Sequence, residues 1–143
     1  MATVGVLLEG KGDAVVSVGP DVTVREAAGV MNLRSIGALL VCEGDELAGI
    51  FTERDVLRRV VAEGLDPTLV RVSEVMTREV VYCEPETTLG EARSIFKRRR
   101  VRHLPVLGRD GRVMGVLSIG DVNAYDLVDR QVELTYLREY LFS

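Results

Sequence analysis

Tryptophan is absent from this 143-residue chain, histidine occurs once, and cysteine only twice. One histidine and no Cys-x-x-Cys pair leave too few ligands for a structural zinc site. Cys42 and Cys83 both sit in apolar, strand-like surroundings, which fits reduced, partly buried thiols rather than a disulfide framework. Apolar runs are broken by charge or glycine well short of the ~20 residues a membrane span needs. The first residues show no basic segment leading into an apolar signal core, so the expected location is the cytoplasm, with no membrane partner. Aromatics make up only 5% of the residues and the formal net charge is −4, so neither base stacking nor overall charge draws the chain to nucleic acid.

Hydrophobic residues account for 47% of the sequence, enough for a core of ordinary size. That content is organised as a tandem repeat. "AVVSVGPDVTVREAAGVM", from Ala14, aligns with "EVVYCEPETTLGEARSIF", from Glu79, and "GIFTERD" at 49–55 returns as "GVLSIGD" at 115–121. The spacing is about 65 residues, and a slip of one falls in the turns "EGDEL" and "GRDGRV", where insertions are tolerated.

Each copy reads in the same order. A Val-rich strand stops at Pro20 or Pro85, and Thr23-x-x-Glu26 or Thr88-x-x-Glu91 then forms a capping box that starts a helix. Apolar residues follow at helical spacing: Val24, Ala27, Ala28 and Met31, then Leu89, Ala92, Ile95 and Phe96. "IGALLVC" and "LPVLG" are second strands, joined through tight turns to third strands "LAGIF" and "VMGVL", after which Thr52 and Ser118 open second helices. The unit is β-α-β-β-α, and three strands with two helices cannot cover both faces of their sheet. The fold class expected is therefore α/β, two such units packed sheet to sheet with pseudo-twofold symmetry. The boundaries fall at 1–66 and 67–126, with "AEGLDPTLVRV" as linker; 127–143 form a tail with Leu127, Leu134, Leu137 and Leu141 near helical spacing, suited to packing on its own unit or on a second subunit.

The repeated phrase permits two readings. Thr52-x-x-Asp55 and Ser118-x-x-Asp121 fit helix caps, with hydroxyl at the first position and acid facing free N–H groups. The same atoms suit a nucleotide: a helix N-terminus and hydroxyl for phosphate, and a carboxylate for both hydroxyls of a ribose. Gly49 and Gly115, inside third strands, mark a close approach of other backbone or of a ligand. Two near-motifs carry nothing: "EGKGD" lacks the phosphate-loop spacing and "GVLSIG" misses the nucleophile elbow by one residue.

With both phrases in register, and "VVSVGPDVT", "VVYCEPETT" and "VRHLPV" beside them, residues 4 to about 126 resemble a pair of CBS domains, the Bateman module. That resemblance implies two clefts, adenosine-type ligands (AMP, ADP or ATP, with S-adenosylmethionine ranked behind them), no cofactor, no catalysis, and a homodimeric disc acting on an unidentified effector protein. It implies Asp55 and Asp121 as ribose-binding acids, Thr52 and Ser118 as phosphate-proximal hydroxyls, and an adenine pocket lined by Val16, Ser17 and Val18 or by Val81, Tyr82 and Cys83. Ser17 matches the family's habit at its position and Tyr82 departs from it.

The basic run "KRRRVRH" divides. Lys97 to Arg100 end a helix, where cations suit the dipole and a solvated face suffices. Arg102 and His103 enter a strand, and the resemblance places them near phosphate; the first copy has Gly37 and Ala38 there, so the clefts should differ in charge. Asp121 is the preferred acid, with Arg54 as a phosphate contact from the other copy. His103 has no partner nucleophile to serve as a catalytic base. The alternatives are a scaffold with vestigial clefts and, last, nucleic-acid binding through residues 97–103.

Overall fold

The computed structural model describes residues 2–11 and 15–142. Ala14, where the repeat alignment begins, lies outside them, as do the side chains of Leu137 and Leu141. The chain runs α1 (Val4–Lys11), β1 (Ser17–Val18), α2 (Val24–Arg34), β2 (Ala38–Glu43), β3 (Glu46–Thr52) and α3, an α-helical turn at Glu53–Asp55 that continues as a π-helix at Val56–Val61. It continues with α4 (Val72–Val75), α5 (Leu89–Arg99), β4 (His103–Leu107), β5 (Val113–Ser118) and α6 (Ile119–Phe142). Thr23 and Thr88 each accept from the amide of the glutamate three residues on, so both capping boxes form as their sequences dictate.

Strand β1 pairs parallel with β2, and β2 pairs antiparallel with β3; β4 and β5 form an antiparallel hairpin. The copies match in fine detail. Ala38 lies opposite Thr52 as His103 lies opposite Ser118, and a register shift after Val41 is repeated after Val106. One expected strand is nearly lost. At Val80–Cys83 only a single parallel bridge remains, Cys83 to Val106, because Val80 N–H turns back to donate to the Arg78 carbonyl (3.1 Å) instead of extending the ladder.

Strand alternation builds three apolar clusters. Leu39, Val41 and Phe51 face α2 together with Val24, Ala27 and Met31. Leu104, Val106 and Leu117 face α5 together with Leu89, Ala92 and Phe96. The opposite face of the first sheet, Ala38, Leu40 and Ile50, packs on Val80, Val113 and Val116, which closes sheet against sheet. Strands β2 and β3 are thus apolar on both faces, which is why "IGALLVC" reads as an unbroken run.

Helix α1 has no strong signal in the sequence: "VGVLLEGK" carries two glycines, and the side-chain bond at its start, from Val6 N–H to Thr3 Oγ1, is loose (3.4 Å). Its position is set by the other copy. Val4 N–H donates to the Thr87 carbonyl and Leu89 N–H to the Ala2 carbonyl, while Val4 and Leu7 complete the second cluster. The short α4 plays the same part for the first copy, where Val72 N–H donates to Val22 and Val24 N–H to Val70. Each copy is closed by the segment that precedes the other one.

This exchange accounts for the two strand glycines. A Cβ on Gly49 would lie 2.8 Å from the Thr77 carbonyl oxygen, and one on Gly115 would lie 3.0 Å from Leu8 Cδ2. Both are approached by the closing segment rather than by open space. The obstacles differ: Thr77 is backbone, locked to Ile50 by two hydrogen bonds of 3.0 and 2.9 Å, whereas Leu8 offers a movable side-chain end. Gly49→Ala is expected to cost about 2 kcal/mol or more and Gly115→Ala under about 1 kcal/mol. Urea unfolding of both variants measures the difference, and equal losses would contradict it.

Helix α6, 24 residues from Ile119 to Phe142, runs unbroken past Asp126, so the tail continues the second helix of the second copy. Among the described residues no helix is long and apolar enough to cross a membrane.

Candidate functional site

Strands β3 and β5 each end at a hydroxyl residue that starts a helix. At the first, Thr52 Oγ1 accepts from Asp55 N–H (3.2 Å), and Asp55 Oδ2 accepts from Thr52 N–H (3.0 Å) and from the Thr52 hydroxyl (3.2 Å). Arg59 Nε lies 3.5 Å from Asp55 Oδ1, and Asp55 is only 8% exposed. At the second, Ser118 Oγ accepts from Asp121 N–H and Asp121 Oδ2 accepts from Ser118 N–H, both at 3.0 Å. The helix-cap reading of the repeated phrase is therefore realised at both places.

Each acid nevertheless borders a cavity. One, of about 460 Å³, receives Asp121, Ser118, Gly115 and Val116 from the second copy and Val15, Val16, Gly37 and Ala38 from the first, with His103, Arg34 and Leu8 completing it. The other, of about 330 Å³, receives Thr52, Arg54 and Asp55 from the first copy and Val81, Val101, Arg102 and His103 from the second. Both volumes fall within the ~300–1,000 Å³ of small-molecule sites. Each cavity takes its acid from one copy and its first-strand valine from the other, as sheet-to-sheet packing requires.

Their electrostatics differ. The cavity beside Asp55 is lined by Arg54, Arg58, Arg59, Arg100 and Arg102 against Glu53, Asp55 and Glu79. The cavity beside Asp121 holds Arg34 and His103 as its basic side chains. Arg34, Arg58, Arg59 and Arg100 carry no motif, and only helix packing brings them in. Arg100 has a left-handed backbone (φ 53°) at the end of α5, as Ser35 has (φ 54°) at the end of α2, which turns the chain back toward the cavities.

Several expected positions need correction. Arg54 lines the Asp55 cavity, not that of Asp121; it donates to the Arg100 carbonyl at 3.4 Å. Ser17 is exposed and hydrogen-bonds Cys42, and Val18 packs on the first core, so neither lines the cavity that Val16 borders. Cys83 is buried in the second core, where burial and then the charge of Glu84 push its thiol up to about 11. Burial also raises Cys42, offset in part by Ser17. Tyr82 is 50% exposed on the outer surface beside Ile95, Arg98 and Arg99. The basic run is thus split: Lys97 to Arg99 face solvent, while Arg100, Arg102 and His103 reach the cavities.

Comparison with known proteins agrees with this architecture. The family model for the CBS domain matches twice, at residues 13–62 and 72–127. The mitochondrial CBS domain-containing protein CBSX3 of Arabidopsis thaliana is 36% identical over 126 residues, which cover 85% of this chain and 61% of that protein. A CBS-domain-containing protein of Agrobacterium tumefaciens superposes with a TM-score of 0.82 at 40% identity, covering 87% of this chain and 99% of the other. A Pyrobaculum aerophilum CBS domain protein, solved in complex with AMP, shares the fold with a TM-score of 0.75 at 24% identity, over 83% of this chain and 88% of its own.

Proposed function

The chain belongs to the CBS-domain family, as a tandem pair, and on that footing we propose that it is a regulatory, non-catalytic module whose ligand is an adenine nucleotide held in the cavity beside Asp121. One observation carries this reading: the carboxylate and hydroxyl that begin α6 converge with Val16 of the other copy on one cavity of about 460 Å³. The ribose hydroxyls would donate to Asp121, the base would lie along the Val16 backbone, and phosphate would run toward Ser118 and His103. A carboxylate has about four lone-pair sites, so capping the helix and accepting from a sugar are compatible. The AMP complex of the Pyrobaculum aerophilum protein supports the ligand class.

The signal would pass through self-association. Leu57 and Val61 on α3 and Leu127 and Leu134 on α6 each leave half or more of their surface uncovered, which suits contact with a second copy.

Calorimetric titration with AMP, ADP, ATP and S-adenosylmethionine tests the reading. Saturable binding of an adenine nucleotide, lost in Asp55→Ala/Asp121→Ala, is expected; no binding, or binding untouched by that double change, would refute it. The closed caps favour one second reading, a scaffold in which the acids only finish helices. In that case the double variant loses melting temperature and no nucleotide alters it.

A further inference from the structure

The cleft beside Asp55 has arginine at four positions where the equivalent residue of the other copy is small and uncharged. Arg54 and Arg58 follow Thr52 at the distances at which Gly120 and Ala124 follow Ser118. Arg100 is the left-handed residue that ends α5, as Ser35 is the one that ends α2. Arg102 has Gly37 as its counterpart, since Ala38 faces Thr52 as His103 faces Ser118. The carbonyls of that pair act alike, accepting at 3.0 Å from Ile119 N–H and Glu53 N–H.

Much of this charge is not committed to the fold. Arg59, also at this cavity, donates to the Val75 and Met76 carbonyls at 3.1 and 3.0 Å and lies 3.5 Å from Asp55 Oδ1. Arg54 reaches the Arg100 carbonyl at 3.4 Å. The side chains of Arg58, Arg100 and Arg102 are exposed and, among the described residues, form no hydrogen bond or ion pair with the protein. Five arginines against three carboxylates leave an excess of positive charge around about 330 Å³, whereas Arg34 and Asp121 balance at the other cavity. Like charges gathered round one space repel unless an anion fills it.

Resting on the reading of the clefts as nucleotide sites, we propose that the cavity beside Asp55 is a second site, for a nucleoside triphosphate, while the cavity beside Asp121 takes the monophosphate. A guanidinium presents paired N–H donors in a fixed fork that matches phosphate, so Arg58, Arg100 and Arg102 suit a chain of linked phosphates. Each added phosphate brings negative charge that the excess arginines offset. Among the described residues, Arg34 is the one arginine at the Asp121 cavity, which has nothing comparable to give a longer chain. Val81 borders the Asp55 cavity as Val16 borders the other, so the nucleoside end is provided for in the same way.

Asp121→Ala leaves the second cleft to report alone and Asp55→Ala the first, with Asp121→Asn or Asp55→Asn replacing either variant that does not fold. Isothermal titration of each with AMP and ATP, without divalent cations that would mask phosphate charge, gives an ATP-to-AMP affinity ratio for each cleft. In Asp121→Ala a ratio of about ten or more is expected, the effect of one added charged hydrogen bond, and in Asp55→Ala a ratio below about three. Adding Arg58→Ala and Arg102→Ala to Asp121→Ala should bring its ratio below about three as well. Arg98→Ala and Arg99→Ala remove the same charge from the solvent-facing side of α5, and should leave the ratio unchanged within about two-fold. A ratio below about three in Asp121→Ala, an equal preference in both variants, indifference to the Arg58 and Arg102 changes, or an equal response to the surface pair would overturn the assignment; AMP binding by Asp55→Ala would still uphold the parent reading. Inorganic triphosphate binding to Asp121→Ala as tightly as ATP would also overturn it, since the cleft would then hold an anion and no nucleoside. If neither variant binds any nucleotide, the parent reading falls and this inference with it.

Discussion

Alanine in place of Asp121 is expected to weaken AMP binding in its cleft about 100-fold or more while leaving the protein folded. Two ribose hydroxyls donating to one carboxylate contribute roughly 1.5–3 kcal/mol each, and 1.4 kcal/mol is a factor of ten, so removing both reaches this range even at the low end. The structural cost is smaller. Asp121 Oδ2 accepts the Ser118 N–H at 3.0 Å, and losing such a helix-start contact costs about 1 kcal/mol. Calorimetry and thermal melting of the same samples separate the effects. Loss of about 1 kcal/mol in stability with unchanged AMP affinity would reduce Asp121 to a cap.

Phe51→Ala is expected to lose about 3–5 kcal/mol of folding stability. Phe51 is fully buried against Met31, Leu39, Val41, Val60 and Val72, so truncation opens a cavity whose walls come from β2, α2, α3 and α4. The loss is a large part of the ~5–15 kcal/mol that holds a domain together, and should lower the melting temperature by roughly 10–20 °C. Because Phe51 directly precedes Thr52, loosening β3 also unsettles the start of α3 beside the second cavity. Urea unfolding measures it, with Leu33→Ala on an exposed helix face as a control within about 0.5 kcal/mol. A loss below about 1.5 kcal/mol would mean that the core does not anchor β3.

Much of this architecture was legible because its signals are local. Thr-x-x-Glu specifies a reciprocal cap within one helical turn, and Asp110–Gly111 specifies the turn between β4 and β5, where Gly111 has a φ of 78°. The doubled phrase showed where sheet passes to helix in both copies. What remained hidden depends on contacts distant in sequence. Helix α1 has no pattern of its own and is fixed by Thr87 and Leu89, more than eighty residues away. Gly49 and Gly115 promised a close approach, but only the fold reveals that Thr77 and Leu8 make it. The arginines were the hardest to foresee. Arg54 and Asp121 belong to different cavities because the copies are related by rotation, and a linear alignment gives no clue to which cleft a helix's first residues address. Tyr82 illustrates the same limit: alternation along a strand fixes a face only where the strand forms, and at Val80–Cys83 it shrinks to one bridge.

The reciprocal closure by α1 and α4 means that the duplicated unit is not a cassette that can be cut at the linker and kept whole. A fragment beginning after residue 66 would be missing Val4 and Leu7 from its interior, and one ending there would be missing Val72, Val75 and Met76. The two halves are laced together, each carrying the other's lid, so a disturbance in either interior is transmitted along a single covalent thread to its twin.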